Sequence, residues 1–176
     1  LKKRGIEGRY VAYLGLIEPR KCIPDLVQAF SQINEKFPDL KLIIGGNEGW
    51  GLDELRESIK ESGCSTKIIL PGRLSDEEVS AFYRQAQCFV YPSVYEGFGM
   101  PVLEAMACGA PVITTEGSSL SEVGGDAAVL IEPNSPSQIA QSMEKILSDE
   151  KYKNELSKAS IKQAENFSWE NCSKEH

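Results

Sequence analysis

Short apolar runs alternate with longer amphipathic stretches along the chain. Each run is bounded by glycine, proline or polar residues, which is typical of buried β-strands. In the stretches between the runs, apolar residues recur at the three- and four-residue spacing of a helix face. The predicted strands are 10–15, 40–44, 67–70, 88–91, 111–115 and 128–131, and the predicted helices include 23–37 and 52–62, with helical sequence again from residue 135 onward.

Two further helices are predicted from their end signals. Ser75 and Glu78 have the spacing of a capping box, which indicates a helix start at this point. Pro101 suits a first helical turn, where its missing N–H costs nothing, and Gly109 followed by Pro111 is typical of a helix end. A short helix is therefore predicted after residue 100.

The regular alternation of strand and helix predicts an α/β fold. We expect a Rossmann-like, doubly wound parallel sheet of six strands with helices on both faces. In the common strand order 3-2-1-4-5-6, the first and fourth strands are neighbours and the direction of winding reverses between them. Ligands of such sheets bind at this switch point, so the loops 15–22 and 92–100 should face one another across a crevice.

Composition narrows the classes of function. The 26 acidic residues outnumber the 19 basic residues, giving a net charge of −7, and a nucleic-acid partner is not expected. The five cysteines are scattered without a C-x-x-C pair and there is one histidine, so neither a metal site nor a histidine-dependent triad is expected. Reduced thiols and the lack of a long apolar segment favour a cytoplasmic protein.

The stretch 95–109 joins the fourth strand to the short helix through a loop that contains Gly97 and Gly99. The free N–H groups and the positive dipole end of such a helix suit an anion, and we expect phosphate. Glu96 precedes the loop and Glu104 lies one turn into the helix, and a carboxylate can accept hydrogen bonds from both hydroxyls of a sugar diol. These features predict a nucleotide sugar. The alternative is that Glu104 only complements the helix dipole and that Glu96 is an exposed turn residue.

Residues 96–113 closely resemble the signature of the retaining glycosyltransferases of family 4, also called group 1. That signature has two glutamates separated by seven residues, here Glu96 and Glu104, followed by a small-residue helix and a proline-led strand. The resemblance covers nearly the whole chain as the family's C-terminal, donor-binding domain, which is the C-terminal half of the GT-B fold. It implies a nucleoside-diphosphate sugar as the substrate, retention of configuration, and no metal or cofactor. It also implies that Glu96 holds the sugar hydroxyls and that Glu104 holds the ribose.

Two adjacent cations, Arg20 and Lys21, lie in the loop after the first predicted strand. They suit a pyrophosphate, because arginine can bind two oxygens and lysine acts as a point charge; a solvated surface pair is the alternative. The resembling family has an arginine directly after the strand-ending glycine, here Gly15, and a lysine five residues after that arginine, which corresponds to Lys21. Leu16 occupies the arginine position. We therefore expect Arg20 to replace that arginine, with Arg20, Lys21 and Glu96 as the catalytic residues.

Two further turns complete the donor site that the resemblance implies. Arg73 and Leu74 follow the third strand, where the family contacts the nucleobase largely through backbone; an ordinary strand-to-helix turn is the alternative. Gly45 resembles a glycine that lines the pocket beside the base and ribose. The remaining donor-binding candidates are Gly15, Gly97, Phe98, Gly99 and Met100.

The family's plan places the acceptor site in an N-terminal domain that is absent from this sequence. We expect residues 1–8 to be a linker from that domain, 9–150 to be the Rossmann-like domain, and 151–176 to be C-terminal helices that are truncated. The expected acceptor is a glycan, a lipid-linked sugar or a small molecule, and a peripheral association of the full-length protein with the inner face of the membrane is a further expectation. The alternatives are a catalytically silent nucleotide-sugar-binding module and a nucleotide-sugar epimerase or phosphorylase of the same architecture.

Overall fold

The computed structural model describes residues 1–167, so Cys172 and the end of the predicted C-terminal helices lie outside the described residues. Strands and helices alternate within this range. The strands are β1 (Tyr10–Leu14), β2 (Lys41–Gly45), β3 (Ile68–Gly72), β4 (Cys88–Tyr91), β5 (Val112–Thr115) and β6 (Ala128–Ile131). The helices are α1 (Ile23–Ile33), α2 (Leu52–Glu61), α3 (Asp76–Gln85), α4 (Met100–Ala107), α5 (Ser119–Gly124), α6 (Pro136–Ser148) and α7 (Glu150–Glu165).

The six strands form one parallel sheet in the order β3-β2-β1-β4-β5-β6, which confirms the predicted order. β1 pairs with β2 on one side, where Tyr10 lies opposite Lys41, and with β4 on the other, where Val11 lies opposite Cys88. The direction of winding reverses between β1 and β4. A crevice therefore opens beyond the carboxyl ends of these two strands.

Two helix layers flank the sheet. Helix α1 packs against α2 and α6, whereas α4 packs against α3, α5 and α7. Because helices cover both faces, the four central strands β2, β1, β4 and β5 are almost entirely buried, which explains why their sequences are continuously apolar rather than alternating. Val11, Ile43, Phe89 and Val112, each on a different strand, have no exposed surface.

Helix α1 is shorter than predicted, ending at Ile33 rather than at residue 37. The side chain of Asn34 donates a hydrogen bond to the carbonyl of Ser31 at 2.8 Å, and Pro38 disfavours the helical conformation at Phe37. Phe37 still packs against the core, although it lies outside the helix. The apolar spacing thus correctly marked a residue that packs against the core but placed it in the wrong element.

Strand β3 is longer than predicted and continues through Pro71 to Gly72. It is an edge strand, where the missing N–H of a proline need not cost a ladder bond. Gly72 pairs with Gly45 of β2, and the capping box of Ser75 and Glu78 then begins α3 as predicted. This pairing brings the turn after β3 to the carboxyl edge of the sheet. None of the helices within residues 1–167 is long and apolar enough to cross a membrane.

Candidate functional site

Two loops meet beyond the carboxyl ends of β1 and β4. The loop after β1 contains one 3-10 turn, Pro19–Lys21, which includes both candidate cations. The backbone N–H of Val94 donates to the carbonyl of Arg20 at 3.0 Å, and the hydroxyl of Ser93 donates to the same carbonyl at 3.1 Å. The prediction that these two loops face one another is confirmed.

Glu96 lies at the centre of this junction. Its Oε1 atom accepts hydrogen bonds from Arg20 Nη1 at 2.9 Å, from Ser93 Oγ at 2.8 Å and from the Tyr91 hydroxyl at 3.2 Å. The ammonium group of Lys21 donates to the same oxygen. Burial by itself would raise the pKa of this carboxyl, but the hydrogen bonds from Lys21, Ser93 and Arg20 outweigh it and hold the pKa below its ordinary value. The carboxylate is therefore ionised at neutral pH.

The two cations at this junction differ in exposure. The side chain of Lys21 is 5% exposed, whereas that of Arg20 is 45% exposed. Lys21 also donates to the Tyr91 hydroxyl at 2.6 Å, so its ammonium lies between a phenol and a carboxylate. Arg20 donates through Nε to Glu18 at 2.9 Å and through Nη1 to the carbonyl of Tyr95 at 3.0 Å. Lys21 is thus a buried, fixed charge, and Arg20 is an exposed charge held between two loops.

The glycine loop between β4 and α4 approaches helix α5 closely. Gly99 has a φ of +96°, and a Cβ atom at this position would lie 2.5 Å from a methyl group of Leu120. Within residues 1–167, no side chain caps the first turn of α4. Pro101 has no N–H and the N–H of Val102 donates to the carbonyl of Gly99 at 2.9 Å, so of the first three residues only Met100 has an N–H left for a ligand or water. Gly97 is exposed, and Phe98 and Met100 are 43% and 52% exposed. The anion-binding role of this loop stays a prediction.

Glu104 lies apart from the junction at Glu96. It lines a cavity of about 410 Å³ between α3 and α4, together with Leu14 at the end of β1 and with Asp76. The hydroxyl of Tyr83 donates to Glu104 Oε2 at 3.2 Å, and the ring of Tyr83 is fully buried. The two glutamates of the motif therefore serve two separate places at the carboxyl edge of the sheet.

The turn after β3 lies beside the loops that follow β1 and β2. Leu74 is 4% exposed and packs close to Gly45, whereas Arg73 is exposed. Gly46 has a φ of +133°, and a Cβ atom there would lie 1.8 Å from the carbonyl oxygen of Gly15, so the two loops are in direct backbone contact. The structure thus brings Gly15, Gly45 and Leu74 together, but the Leu74 side chain is part of the core.

Sequence reasoning missed the residues that support the two glutamates. Tyr91 and Ser93 donate to Glu96 from the end of β4, and Tyr83 donates to Glu104 from α3. Polar groups at the carboxyl end of a central strand lie at the switch point, and this signal could have identified Tyr91 and Ser93. No comparable signal marked Tyr83, because a tyrosine beside the apolar face of a helix is typical of a core residue.

The part of the chain that the structure describes, residues 1–167, contains no cluster of metal-binding side chains. Within residues 1–167, no group of three or more His, Cys, Asp and Glu side chains could hold a metal ion. Cys22, Cys64, Cys88 and Cys108 are free thiols, and burial raises the pKa of Cys88 to about 12. Cys88 is therefore an inert core residue at neutral pH.

Comparison with known proteins identifies the family. Residues 2–163 match the sequence model of the family described as glycosyl transferases group 1. The chain belongs to this family. This group 1 domain is 38% identical over 167 residues to the O-antigen chain mannosyltransferase B of Escherichia coli, covering 93% of this chain and 43% of that protein. It is 33% identical over 175 residues to the mannosylfructose-phosphate synthase of Agrobacterium fabrum, covering 94% of this chain and 38% of that protein. The domain therefore spans less than half the length of these relatives.

A solved structure of similar size has the same fold. The C-terminal domain of the glycosyl transferase group 1 family protein LpcC from Francisella tularensis superposes with a TM-score of 0.84 at 27% sequence identity, covering 94% of this chain and 89% of that chain. The predicted family and fold are confirmed: the chain has the Rossmann-like architecture of the C-terminal domain of a GT-B glycosyltransferase.

Proposed function

We propose that this domain binds the nucleoside-diphosphate sugar in a retaining, metal-independent glycosyltransferase. The observation that carries the proposal is the junction at Glu96, where a carboxylate, Lys21 and Arg20 meet at the switch point of the sheet. An ordinary surface ion pair would not require a lysine that is 5% exposed, nor additional donors on the same oxygen. The acceptor, which is a glycan, a lipid-linked sugar or a small molecule, would bind to a part of the full-length protein outside this chain.

Glu96 has one carboxylate oxygen available for the donor sugar. Within residues 1–167, every hydrogen bond to its side chain goes to Oε1. An ionised carboxylate can accept hydrogen bonds at both oxygens, so Oε2 can accept from sugar hydroxyls while Oε1 stays anchored. A carboxylate held by several donors is a weak nucleophile. In this proposal Glu96 therefore positions the sugar and stabilises positive charge on it, and retention follows from attack on the face that the diphosphate leaves.

Departure of the diphosphate requires stabilisation of the charge that develops on its phosphates. Arg20 is the more exposed cation, and an arginine can bind two phosphate oxygens at once. The positive end of the α4 dipole and the free N–H of Met100 add fixed dipoles, and Lys21 adds a fixed charge. In this proposal the charges of the protein stabilise the leaving group, and no metal is assigned.

Glu104 would hold the ribose of the donor. The Tyr83 hydroxyl occupies its Oε2 atom, which leaves Oε1 for the hydroxyls of a diol. The cavity of about 410 Å³ in which it lies has the size of a small-molecule site. The two glutamates would thus bind the two sugars of one ligand, with the diphosphate between them.

A thermal-shift screen with UDP-, GDP- and ADP-sugars tests the proposed function. A ligand at about 100 times its Kd stabilises the folded state by about 2.7 kcal/mol. For a domain of this size that corresponds to a rise in Tm of about 5–10 °C. Free hexoses and inorganic phosphate are the controls. If no nucleoside diphosphate and no nucleotide sugar raises the Tm above these controls, the proposal is wrong.

We also propose that the chain transfers no sugar by itself. The residues assigned above would contact the donor only, and an enzyme without a bound acceptor forfeits a proximity contribution that can reach about 7–11 kcal/mol. Incubation with the preferred donor and a panel of glycan and lipid-linked acceptors should yield no acceptor-dependent product by mass spectrometry. Product formed at the rate of an ordinary enzyme would place the acceptor site within these residues.

A further inference from the structure

Two neighbouring cavities at the carboxyl edge of the sheet have Asp76 in common. The first is the cavity of about 410 Å³ that contains Glu104. The second measures about 380 Å³ and lies at the turn between β3 and α3. The side chains that line it are Arg4, Arg73, Leu74, Ser75 and Asp76. Because Asp76 lines both cavities, a nucleoside with its ribose at Glu104 and its base in the second cavity would pass beside Asp76.

Asp76 and Arg73 are charged residues whose side chains have no partner within the described part of the fold. Both are exposed, and within residues 1–167 neither makes a hydrogen bond or an ion pair, with each other or with a third residue. Because they line one cavity without contacting one another, a gap separates the carboxylate from the guanidinium. A flat ligand with donors on one edge and acceptors on the next could bridge that gap.

Arg4 is different, because it is already bound to the wall of the same cavity. Its Nε donates to Glu78 at 2.7 Å and its Nη1 donates to the carbonyl of Pro71 at 3.2 Å. The hydrogen bond from Arg4 lowers the pKa of Glu78 to about 2, so this pair persists through the neutral range. Of the two arginines, Arg73 is therefore the one available to a ligand.

Guanine has the polar pattern that matches this cavity. Its N1–H and N2 amino group are adjacent donors that a single carboxylate can accept, and its O6 and N7 are adjacent acceptors that a guanidinium can bind. Adenine would place its N1 acceptor against the carboxylate, which is unfavourable. Uracil has a single ring N–H between two carbonyl acceptors, so it cannot use both oxygens of a carboxylate.

We propose that the donor nucleotide is a guanosine diphosphate sugar, and that Asp76 and Arg73 select the base. Asp76 accepts from N1–H and the N2 amino group, and Arg73 donates to O6 and N7. This inference rests on the proposed function and adds to it the identity of the base and the residues that recognise it.

Calorimetry with GDP, UDP and ADP tests the proposal on the domain as it stands. The unmodified domain should bind GDP at least about 10-fold more tightly than UDP or ADP. Asp76→Asn should weaken GDP binding about 10- to 100-fold and leave UDP binding within about twofold, because the new amide presents donors toward the donors of guanine. Glu77→Gln is the matched control, since Glu77 is also exposed in the first turn of α3, does not line the cavity and loses the same charge.

Inosine diphosphate separates base recognition from a general electrostatic effect. It keeps N1–H and O6 but lacks the N2 amino group, so the unmodified domain should bind it less tightly than GDP. In Asp76→Asn, the difference between GDP and inosine diphosphate should shrink to about twofold or less, because the partner of the amino group is gone.

Three results would overturn the inference. Equal or tighter binding of UDP or ADP by the unmodified domain would remove the preference for guanine while leaving the proposed donor site intact. An unchanged ratio of GDP to UDP affinity in Asp76→Asn would show that another residue reads the base. If neither these three diphosphates nor the corresponding nucleotide sugars bind, the proposed function is itself wrong, and the base assignment falls with it.

Discussion

The contact between Lys21 and Glu96 predicts a large effect on the stability of the ligand-free domain. Lys21→Met keeps an unbranched side chain of similar length but removes the ammonium, and it leaves behind a carboxylate that is 11% exposed. Breaking a buried ion pair from one side costs about 3–5 kcal/mol. Glu96 keeps Arg20 at 2.9 Å and Ser93 at 2.8 Å, so we expect about 2–3 kcal/mol.

Urea denaturation at neutral pH measures this loss of stability. Lys36→Met is the matched control, because Lys36 also pairs with a glutamate, Glu144, but these side chains are 55% and 44% exposed. An exposed pair contributes about 0–1 kcal/mol, so the control should change the free energy of unfolding by no more than that. Lys21→Met combined with Glu96→Gln should be more stable than Lys21→Met alone, because the unpaired charge has been removed.

The pH dependence follows from the sign of the shift in the pKa of Glu96. A carboxyl whose pKa is lowered on folding adds stability above its unfolded pKa and loses it as the pH falls through the folded pKa. Lys21→Met removes a hydrogen bond that lowers the pKa of Glu96, so the folded pKa of Glu96 is higher in the variant than in the unmodified domain. The two unfolded states titrate alike, so the difference in stability between the two proteins should be full at neutral pH and shrink as the pH falls from the higher of these folded pKa values to the lower. A cost at neutral pH equal to that of the Lys36→Met control would refute the description of Lys21 as a buried, paired charge.

Four further substitutions test the site residues one at a time. Tyr83→Phe removes only a hydroxyl, so by calorimetry it should weaken ribonucleotide binding about 3- to 10-fold and spare the dideoxynucleotide; equal losses would contradict its role in holding Glu104. Glu104→Ala should weaken ribonucleotide binding about 10- to 100-fold and affect the deoxynucleotide less; equal losses for these two ligands by calorimetry would exclude the ribose role. Arg20→Ala should weaken diphosphate binding more than nucleoside binding, with a deficit that shrinks in salt; behaviour like that of the unmodified domain would make Arg20 only a surface charge. Gly99→Ala should cost about 1–3 kcal/mol in urea denaturation, because the φ of +96° and the 2.5 Å approach to Leu120 both oppose a Cβ atom; unchanged stability would contradict that geometry.

The sequence alone was sufficient to predict the layout of the sheet. Buried parallel strands need helices on both faces, and this requirement produces alternating apolar runs and amphipathic stretches that can be counted directly. The right-handed crossover rule then leaves few strand orders, and the observed β3-β2-β1-β4-β5-β6 is the one expected. The family was also predictable, because the motif from Glu96 to Gly109 is long and its spacing is specific.

Local signals failed where two of them competed. The apolar spacing of α1 extends to Phe37, but Asn34 and Pro38 end the helix earlier through a side-chain hydrogen bond and a steric restriction. Pro71 suggested a turn, yet an edge strand tolerates it. In both cases the apolar pattern located the element, and one or two residues at its end decided the backbone geometry there.

The sequence by itself thus determined which segments are strands, how they are ordered, and which two loops meet at the crevice. It named Lys21, Arg20 and Glu96 as candidates, because residue type and strand position are properties of the sequence. Only the tertiary structure decided that both cations bind one oxygen of Glu96, that Lys21 is buried while Arg20 is exposed, and that a tyrosine holds Glu104. The physical reason is distance along the chain: Lys21 and Glu96 are 75 residues apart, and contacts between such residues depend on strand register and rotamers that packing sets.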